Sequence, residues 1–329
     1  MLSHHFVRML AHAGVLAATA LAAASLHAQS WPTKPVSLVV PVAPGGPLDG
    51  ETRLYQDRLL AAFGKPFVFD FRAGAGTSIG TAFVARSAPD GHTLLLHNGG
   101  FTVHPNLYPD LPYNVLKSFA PVTMVSERPT VIIVSPVALP EVRSIADLIA
   151  YGKANPGKLN CGTSGQGNIT HIVCESLSAA INIPITFIHY KGAAQNQADM
   201  FAGRTHLAAG TLFNALPHIK SGKLRAIAAS NPQRSKLLPD LRTTFEQGFD
   251  VEQPTWMGIL APAGTPAAII NTLHAEMKKI VFAPEIVKLL EAQGMVPLAS
   301  APEDFRKRIA AEAVRWKKFI EEKGIKVED

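Results

Sequence analysis

Val36-Ser37-Leu38-Val39-Val40-Pro41-Val42-Ala43-Pro44-Gly45-Gly46-Pro47-Leu48-Asp49 is a β-branched apolar run that breaks on a Pro/Gly turn and opens into a helix. The run predicts a buried strand over residues 36–42, with a helix over about 50–63 and a second strand over 67–71. Asp49 suits the N-cap of that helix and Gly64 its stop. Strand, helix, strand in this order is the βαβ unit of a largely parallel sheet.

A second stretch repeats the arrangement. Gly162-Thr163-Ser164-Gly165-Gln166-Gly167-Asn168 follows a strand expected at 158–161 and precedes a helix on which Ile169, Val173 and Leu177 share a face. A helix N-terminus offers unsatisfied N–H groups and the positive end of a dipole, and glycine admits a ligand close to the main chain. Two such loops predict a cleft that grips one anion, phosphate or carboxylate, from two sides. Arg72-Ala73-Gly74-Ala75-Gly76-Thr77-Ser78 is a third glycine-rich turn. Thr77 or Ser78 can cap the short helix after it, on which Ile79 and Phe83 lie four apart on one face.

Residues 1–28 have the shape of an export signal: His4, His5 and Arg8, then an apolar alanine-rich stretch ending near Leu26-His27-Ala28. The stretch is short for a membrane span. Removing 28 of the 329 residues leaves 301, enough for two α/β lobes with separate cores. It also removes Arg8, so the formal charge falls from +6 to +5. The basic residues form no stripe and are not interleaved with aromatics, which argues against nucleic acid as a partner. Cys161 and Cys174 are the only cysteines. An exported chain could bridge them or keep two buried thiols.

Alternation continues along the chain, with strands expected at 92–97, 130–134, 185–189, 205–209, 224–229 and 256–260. Helices are expected at about 145–155, up to Gly203, and in three closing segments that start near Pro266, Pro284 and Pro302. A composition change near Pro129 and a return near Pro254 divide the chain into a first lobe, 29–129 plus 255–329, and a second, 130–254. Two crossings make a two-strand hinge that favours closure around a ligand.

Several chemistries fail on spacing. Gly74-Ala75-Gly76-Thr77-Ser78-Ile79-Gly80 has one residue too many for the dinucleotide fingerprint, and Gly165-Gln166-Gly167-Asn168-Ile169-Thr170 lacks its last glycine. Ser164 sits on a strand-to-helix turn, but Gln166 stands where a nucleophile elbow needs glycine. His171 is poorly placed on the same helix to serve Ser164 as a base. The histidines lack metal-protease spacing, so no metal and no cofactor is expected. His171 and Glu175 form an i, i+4 pair read as a surface or rim contact. Lys191 is either a solvated charge at a strand end or a cleft charge. Asp199 is either a helix-surface acid or a cleft acid. Trp256, with apolar flanks, reads as core.

The motifs together resemble the Bug-type receptors of tripartite tricarboxylate transporters. The marks are Trp31-Pro32-Thr33-Lys34-Pro35, the Pro44-Gly45-Gly46 loop with Asp49 and Arg53, Arg72 with Gly74-Ala75-Gly76, and Pro89-Asp90-Gly91 before Thr93. Further on come Asn155-Pro156-Gly157-Lys158, the Gly162 loop with His171, Tyr190-Lys191-Gly192, Ser221-Gly222-Lys223-Leu224-Arg225-Ala226, and Trp256 with Ala261-Pro262-Ala263-Gly264-Thr265-Pro266. The resemblance implies a type II-like two-lobe periplasmic binding protein, monomeric and without catalysis, that hands a small carboxylate to membrane transport subunits. By resemblance, Ala43, Pro44, Gly45, Gly46, Thr77 and Ser78 meet the carboxylate from the first lobe, with Asp49 beside them. Thr163, Ser164, Gly167 and Asn168 meet it from the second, with His171 nearby. Asp199 and the segment from Thr211 to Phe213 face the far end of the ligand. A ligand-dependent sensor of a membrane signalling protein is the alternative, and a cleft hydrolase using Ser164 a weaker one. The chain departs from the family at Ala73-Gly74-Ala75-Gly76-Thr77, where Pro-Gly-Ala-Gly-Gly is usual, at Cys161 for Tyr, and at Arg242 for Pro. Thr77 should add a hydroxyl to the pocket, and its β-branch argues against a left-handed backbone there.

Overall fold

The computed structural model describes residues 31–324 apart from 43, 45, 46, 109, 166–168, 191, 192, 232 and 252–255. The opening strand is β1 (Val36–Val40), and the helix after it starts earlier than its sequence suggests: α1 (Pro47–Arg53) has Pro47 in its first turn. Proline lacks an N–H that this position leaves unbonded anyway, so it starts the helix and draws Asp49 inside. The chain breaks at Tyr55 and resumes as α2 (Gln56–Phe63), which Gly64 ends at φ 64° with its N–H on the Leu60 carbonyl. Then come β2 (Phe67–Phe71), α3 (Ser78–Ala85), β3 (Thr93–Asn98) and the single turn α4 (Gly100–Val103). The long β4 (Phe119–Glu127) leads directly into β5 (Thr130–Val134).

The second half begins with α5 (Ile145–Ala154), whose N-cap Ser144 accepts the Asp147 N–H, followed by β6 (Asn160–Thr163) and α6 (Ile169–Ile181). Next are β7 (Thr186–His189), α7 (Ala193–Phe201), β8 (Leu207–Thr211), α8 (Leu212–Lys220) and β9 (Arg225–Ala229). The chain closes with β10 (Trp256–Pro262), α9 (Ala267–Val281), α10 (Pro284–Ala292), β11 (Val296–Pro297) and α11 (Pro302–Lys323).

These strands form a 6-stranded sheet in the order β11-β4-β10-β3-β1-β2 and a 5-stranded sheet in the order β7-β6-β8-β5-β9. Each follows the two-residue period of a sheet buried on both faces. In the first sheet Leu38, Leu94, Leu96 and Ile259 pack on the α9 side, while Val39, Leu95 and Leu260 pack with Phe305 and Ile309 of α11. In the second, Ile132 and Val134 join Val173 and Leu177 of α6, while Val131 and Ile133 join Leu212 and Ala215 of α8. Trp256 is core, 1% exposed. Ile79 and Phe83 do share a face of α3, but that face is outward, and Arg72 stacks on Phe83 with its guanidinium 3.5 Å from the ring centroid. The inward face carries Gly80, where a Cβ would lie 2.9 Å from the Arg72 carbonyl oxygen. The helix therefore approaches its sheet too closely for a larger side chain.

The chain passes from the first sheet to the second through Arg128 and Pro129, and returns between Val251 and Trp256. One apolar cluster spans both halves: Val103 and Leu107 beyond β3, Trp316 and Ile320 of α11, and Ile172 of α6. Among the described residues, no helix is long and apolar enough to cross a membrane.

Candidate functional site

Strand direction sets where the loops meet. β1, β2 and β3 are parallel, so Val40, Phe71 and Asn98 end on one edge of the first sheet. Antiparallel registers bring Trp256 opposite Glu127 and Met257 opposite Asn98 at that same edge. In the second sheet, parallel β6, β7 and β8 end at Thr163, His189 and Thr211, and antiparallel β5 begins beside them with Thr130 opposite Thr211. A two-residue connection, Arg128-Pro129, joins the edges. The carboxyl ends of both sets of parallel strands thus meet at one crevice, the usual place for ligands in open α/β sheets.

On the first side, Ala43, Gly45 and Gly46 lie outside the described residues, while Pro44 is exposed. Asp49 is buried and held by the Arg53 guanidinium, with Nε at 2.8 Å and Nη2 at 3.3 Å. Two residues on, Glu51 is wholly buried, accepting from Tyr55 Oη at 3.0 Å and from Arg128 Nε at 3.0 Å. The helix behind the first loop is thereby tied to the residue at which the chain leaves this sheet. Burial, and then the neighbouring Glu51 carboxylate, push the Tyr55 phenol well above its ordinary range.

Thr77 overturns its expectation. It is left-handed, at φ 79°, despite its β-branch, and Ala75 precedes it at φ 42°. The side chain explains the conformation. Thr77 Oγ1 lies 3.1 Å from His97 Nε2 and 3.0 Å from His104 Nδ1. His97 Nδ1 faces the Asn98 carbonyl at 2.8 Å, which can only accept, so Nδ1 carries the proton. Desolvation pushes His97 down to about 3 and His104 down to about 4, leaving both rings neutral at pH 7. The bare His97 Nε2 must therefore receive the single Thr77 hydroxyl proton, and His104 Nδ1–H must donate to Thr77. Two hydrogen bonds of about 1 kcal/mol each offset the roughly 1–2 kcal/mol of a left-handed L-residue. The hydroxyl expected in the pocket has its proton committed to His97. Ser78, at the start of α3, is half-buried.

On the second side, Thr163 is fully buried and its Oγ1 lies 2.8 Å from His189 Nδ1. The Ser164 N–H donates to Thr170 Oγ1 at 2.8 Å, so that amide is occupied. Gly167 and Asn168 lie outside the described residues. His171 is buried rather than on the surface, with Nε2 3.6 Å from Glu175 Oε1 and its ring 4.6 Å from that of His189. Cys161 and Cys174 form a disulfide between β6 and α6. Thr211 precedes α8 in extended conformation, and Phe213 on that helix is 46% exposed.

Asp199 stands apart from these residues. Its carboxylate accepts from Tyr190 Oη at 2.7 Å and pairs with Arg204, while Tyr190 Oη also meets Thr205 Oγ1 at 2.9 Å. Arg204 and Thr205 precede β8, at the end of the sheet opposite Thr163 and Thr211. The Arg204 and Tyr190 hydrogen bonds hold Asp199 below its ordinary range. Lys191 lies outside the described residues.

Three histidines, His97, His104 and His189, were not singled out by sequence. His97 carried a signal, a basic side chain at the end of the apolar run Leu94-Leu95-Leu96. Asn196 on α7 was also missed. Its Nδ2 donates to the Gly162 carbonyl at 2.9 Å, and a Cβ at 162 would fall 1.8 Å from its Oδ1. Glycine at 162 is thus a packing requirement. Among the described residues, no group of three or more His, Cys, Asp or Glu is placed to hold a metal ion.

The family model described as "Tripartite tricarboxylate transporter family receptor" matches residues 52–325. The chain belongs to this receptor family. BugT of Bordetella pertussis is 34% identical to this receptor over 327 residues, covering 98% of this chain and 99% of its own. An R. palustris protein solved with adipate is 31% identical, covers 90% of this chain and 99% of its own, and superimposes with a TM-score of 0.78. MatC from Rhodopseudomonas palustris, solved with bound malate, is 26% identical, covers 88% of this chain and 100% of its own, and gives a TM-score of 0.74. The two sheets with flanking helices are therefore the two-lobe fold of periplasmic solute receptors.

Proposed function

We propose that this receptor captures a small carboxylate in the crevice between its two sheets and delivers it, in the periplasm, to membrane subunits of a tripartite transporter. In this reading residues 1–28 direct export, residues 29–129 with 255–329 and residues 130–254 act as the two jaws, and no reaction is catalysed. The observation that carries it is the meeting of both sets of strand carboxyl ends at one crevice, in a chain with relatives that were solved with adipate and with malate. Main-chain amides at the start of α3 and in the loop between β6 and α6 beyond Gly165 hold the common carboxylate. The Thr211–Phe213 segment, with an exposed aromatic ring, selects what lies beyond it. His171 is turned to Glu175 and His189, an arrangement that suits a packed support better than a base for Ser164.

A thermal-shift panel of carboxylic acids, with adipate, malate and citrate among them, tests this reading. An acid at 100 times its Kd should stabilise the native state by about 2.7 kcal/mol. No shift with any acid, or turnover of an ester lost in Ser164→Ala, would overturn it.

A further inference from the structure

The disulfide occupies a particular place. Cys161 lies in β6 immediately before Gly162 and Thr163, and Cys174 lies in α6, with 13 residues of separation and Cα atoms 6.3 Å apart. What the bond encloses is the end of the strand and the start of the helix, the two segments that converge on the crevice. Both sulfurs are buried in the core cluster that contains Val173 and Leu177.

β6 needs no further anchoring, because it pairs with β7 on one side and β8 on the other. α6 is shared. Val173, Cys174 and Leu177 pack on its own sheet, while Ile172 packs with Val103 and Leu107 of the first half and with Trp316 and Ile320 of α11, and Ile169 lies against the same cluster. Contacts from the first half therefore load the front of this helix. Without a covalent tie, that load could shift α6 along β6. The loss would be the register that lets Thr163, Ser164 and Gly165 on the strand side and Thr170 on the helix side act together, as the Ser164 N–H to Thr170 Oγ1 bond shows them doing.

We propose that Cys161–Cys174 is a positioning bond for the ligand site: it keeps the end of β6 and the start of α6 in one register while the first half closes on α6. The proposal rests on the carboxylate reading of the crevice. Because pre-organised groups lose less freedom on binding, the bond acts on affinity rather than on whether the chain folds.

The test compares the oxidised protein with Cys161→Ala/Cys174→Ala by hydrogen exchange without ligand, and by calorimetric titration with adipate. Amides of residues 163–165 and 169–171 are expected to exchange about tenfold faster in the variant, with those of β1 and β10 unchanged. The adipate Kd is expected to rise about tenfold, through faster release. Unchanged exchange overturns the proposal while leaving carboxylate binding intact. Faster exchange with an unchanged adipate Kd overturns it equally. If adipate, malate and citrate all fail to bind the oxidised protein, the carboxylate reading falls, and the exchange result alone decides whether the clamp exists. Cys161→Val/Cys174→Ala, which refills the core volume, guards against misfolding. Loss of the far-ultraviolet circular dichroism of both variants would mark the bond as a global staple and overturn the positioning role.

Discussion

Arg128 places its Nε 3.0 Å and its Nη2 2.5 Å from Glu51 Oε2, joining the point where the chain leaves the first sheet to the helix behind the first loop. The Glu51 side chain is wholly buried, and that of Arg128 is 15% exposed. A buried charge left without its partner is far more costly than the pair itself is stabilising. Arg128→Ala should therefore lower the unfolding free energy by about 3 to 5 kcal/mol, whereas Glu51→Met/Arg128→Leu should recover most of that loss. Urea denaturation of both variants checks the order. Equal destabilisation by the two would refute the argument.

Thr77 separates two contributions that usually travel together, a backbone conformation and a side-chain bond. Thr77→Val keeps the β-branch and its left-handed strain but removes the hydroxyl, leaving His97 Nε2 and His104 Nδ1 without their partner. Its expected loss is about 2 to 4 kcal/mol. Thr77→Gly loses the same bonds but relieves the strain, and should lose about 1 to 2 kcal/mol less than valine. A glycine variant less stable than the valine one would show that strain at Thr77 is unimportant.

Much of the fold was legible because its strands are short apolar runs with turn residues on both sides. β5, β10 and α11 fall close to their expected places. β4 was not seen, since Pro121 interrupts it. The structure accommodates that proline where the pairing with β10 shifts register between Ile259 and Leu260. Asp49 was misplaced by three positions because Pro47 starts a helix as well as a cap residue does. The site was less legible for a different reason: its supports are contacts between distant residues. Nothing in the spacing of His97 and His104 shows that both bond one hydroxyl, and Asp199 looks free until Tyr190 and Arg204 are seen on it.

The same histidines give the protein a one-sided pH dependence. Desolvation holds His97 near 3 and His104 near 4, below the unfolded value of about 6.5. In that window the unfolded chain binds more protons than the native one, so stability is fully present above pH 6.5 and falls as the pH drops toward those values. Each ring contributes up to about 1.4 kcal/mol per pH unit, or about 4 kcal/mol for the pair between pH 7.5 and 5.0. Burial also lowers His206 and His274, which act with the same sign. Urea titrations at the two pH values should show the loss, and His97→Leu should flatten it by about half of the pair's share. An identical slope in the variant would refute the assignment.

Ile172 reports on closure. It is fully buried on α6, yet part of its cover comes from the other half: Val103, Leu107, and Trp316 and Ile320 of α11. Removing its side chain should cost about 2 to 5 kcal/mol wherever that cover is in place. A ligand that favours the closed arrangement shifts the population toward it only by its differential affinity, so the variant must draw part of that energy from binding. In Ile172→Ala the melting midpoint with bound carboxylate should therefore fall further than the ligand-free midpoint. The acid giving the largest shift with the wild-type protein is the one to use. Equal falls would mean that Ile172 is covered to the same extent with and without ligand, and that this contact plays no part in closing the crevice.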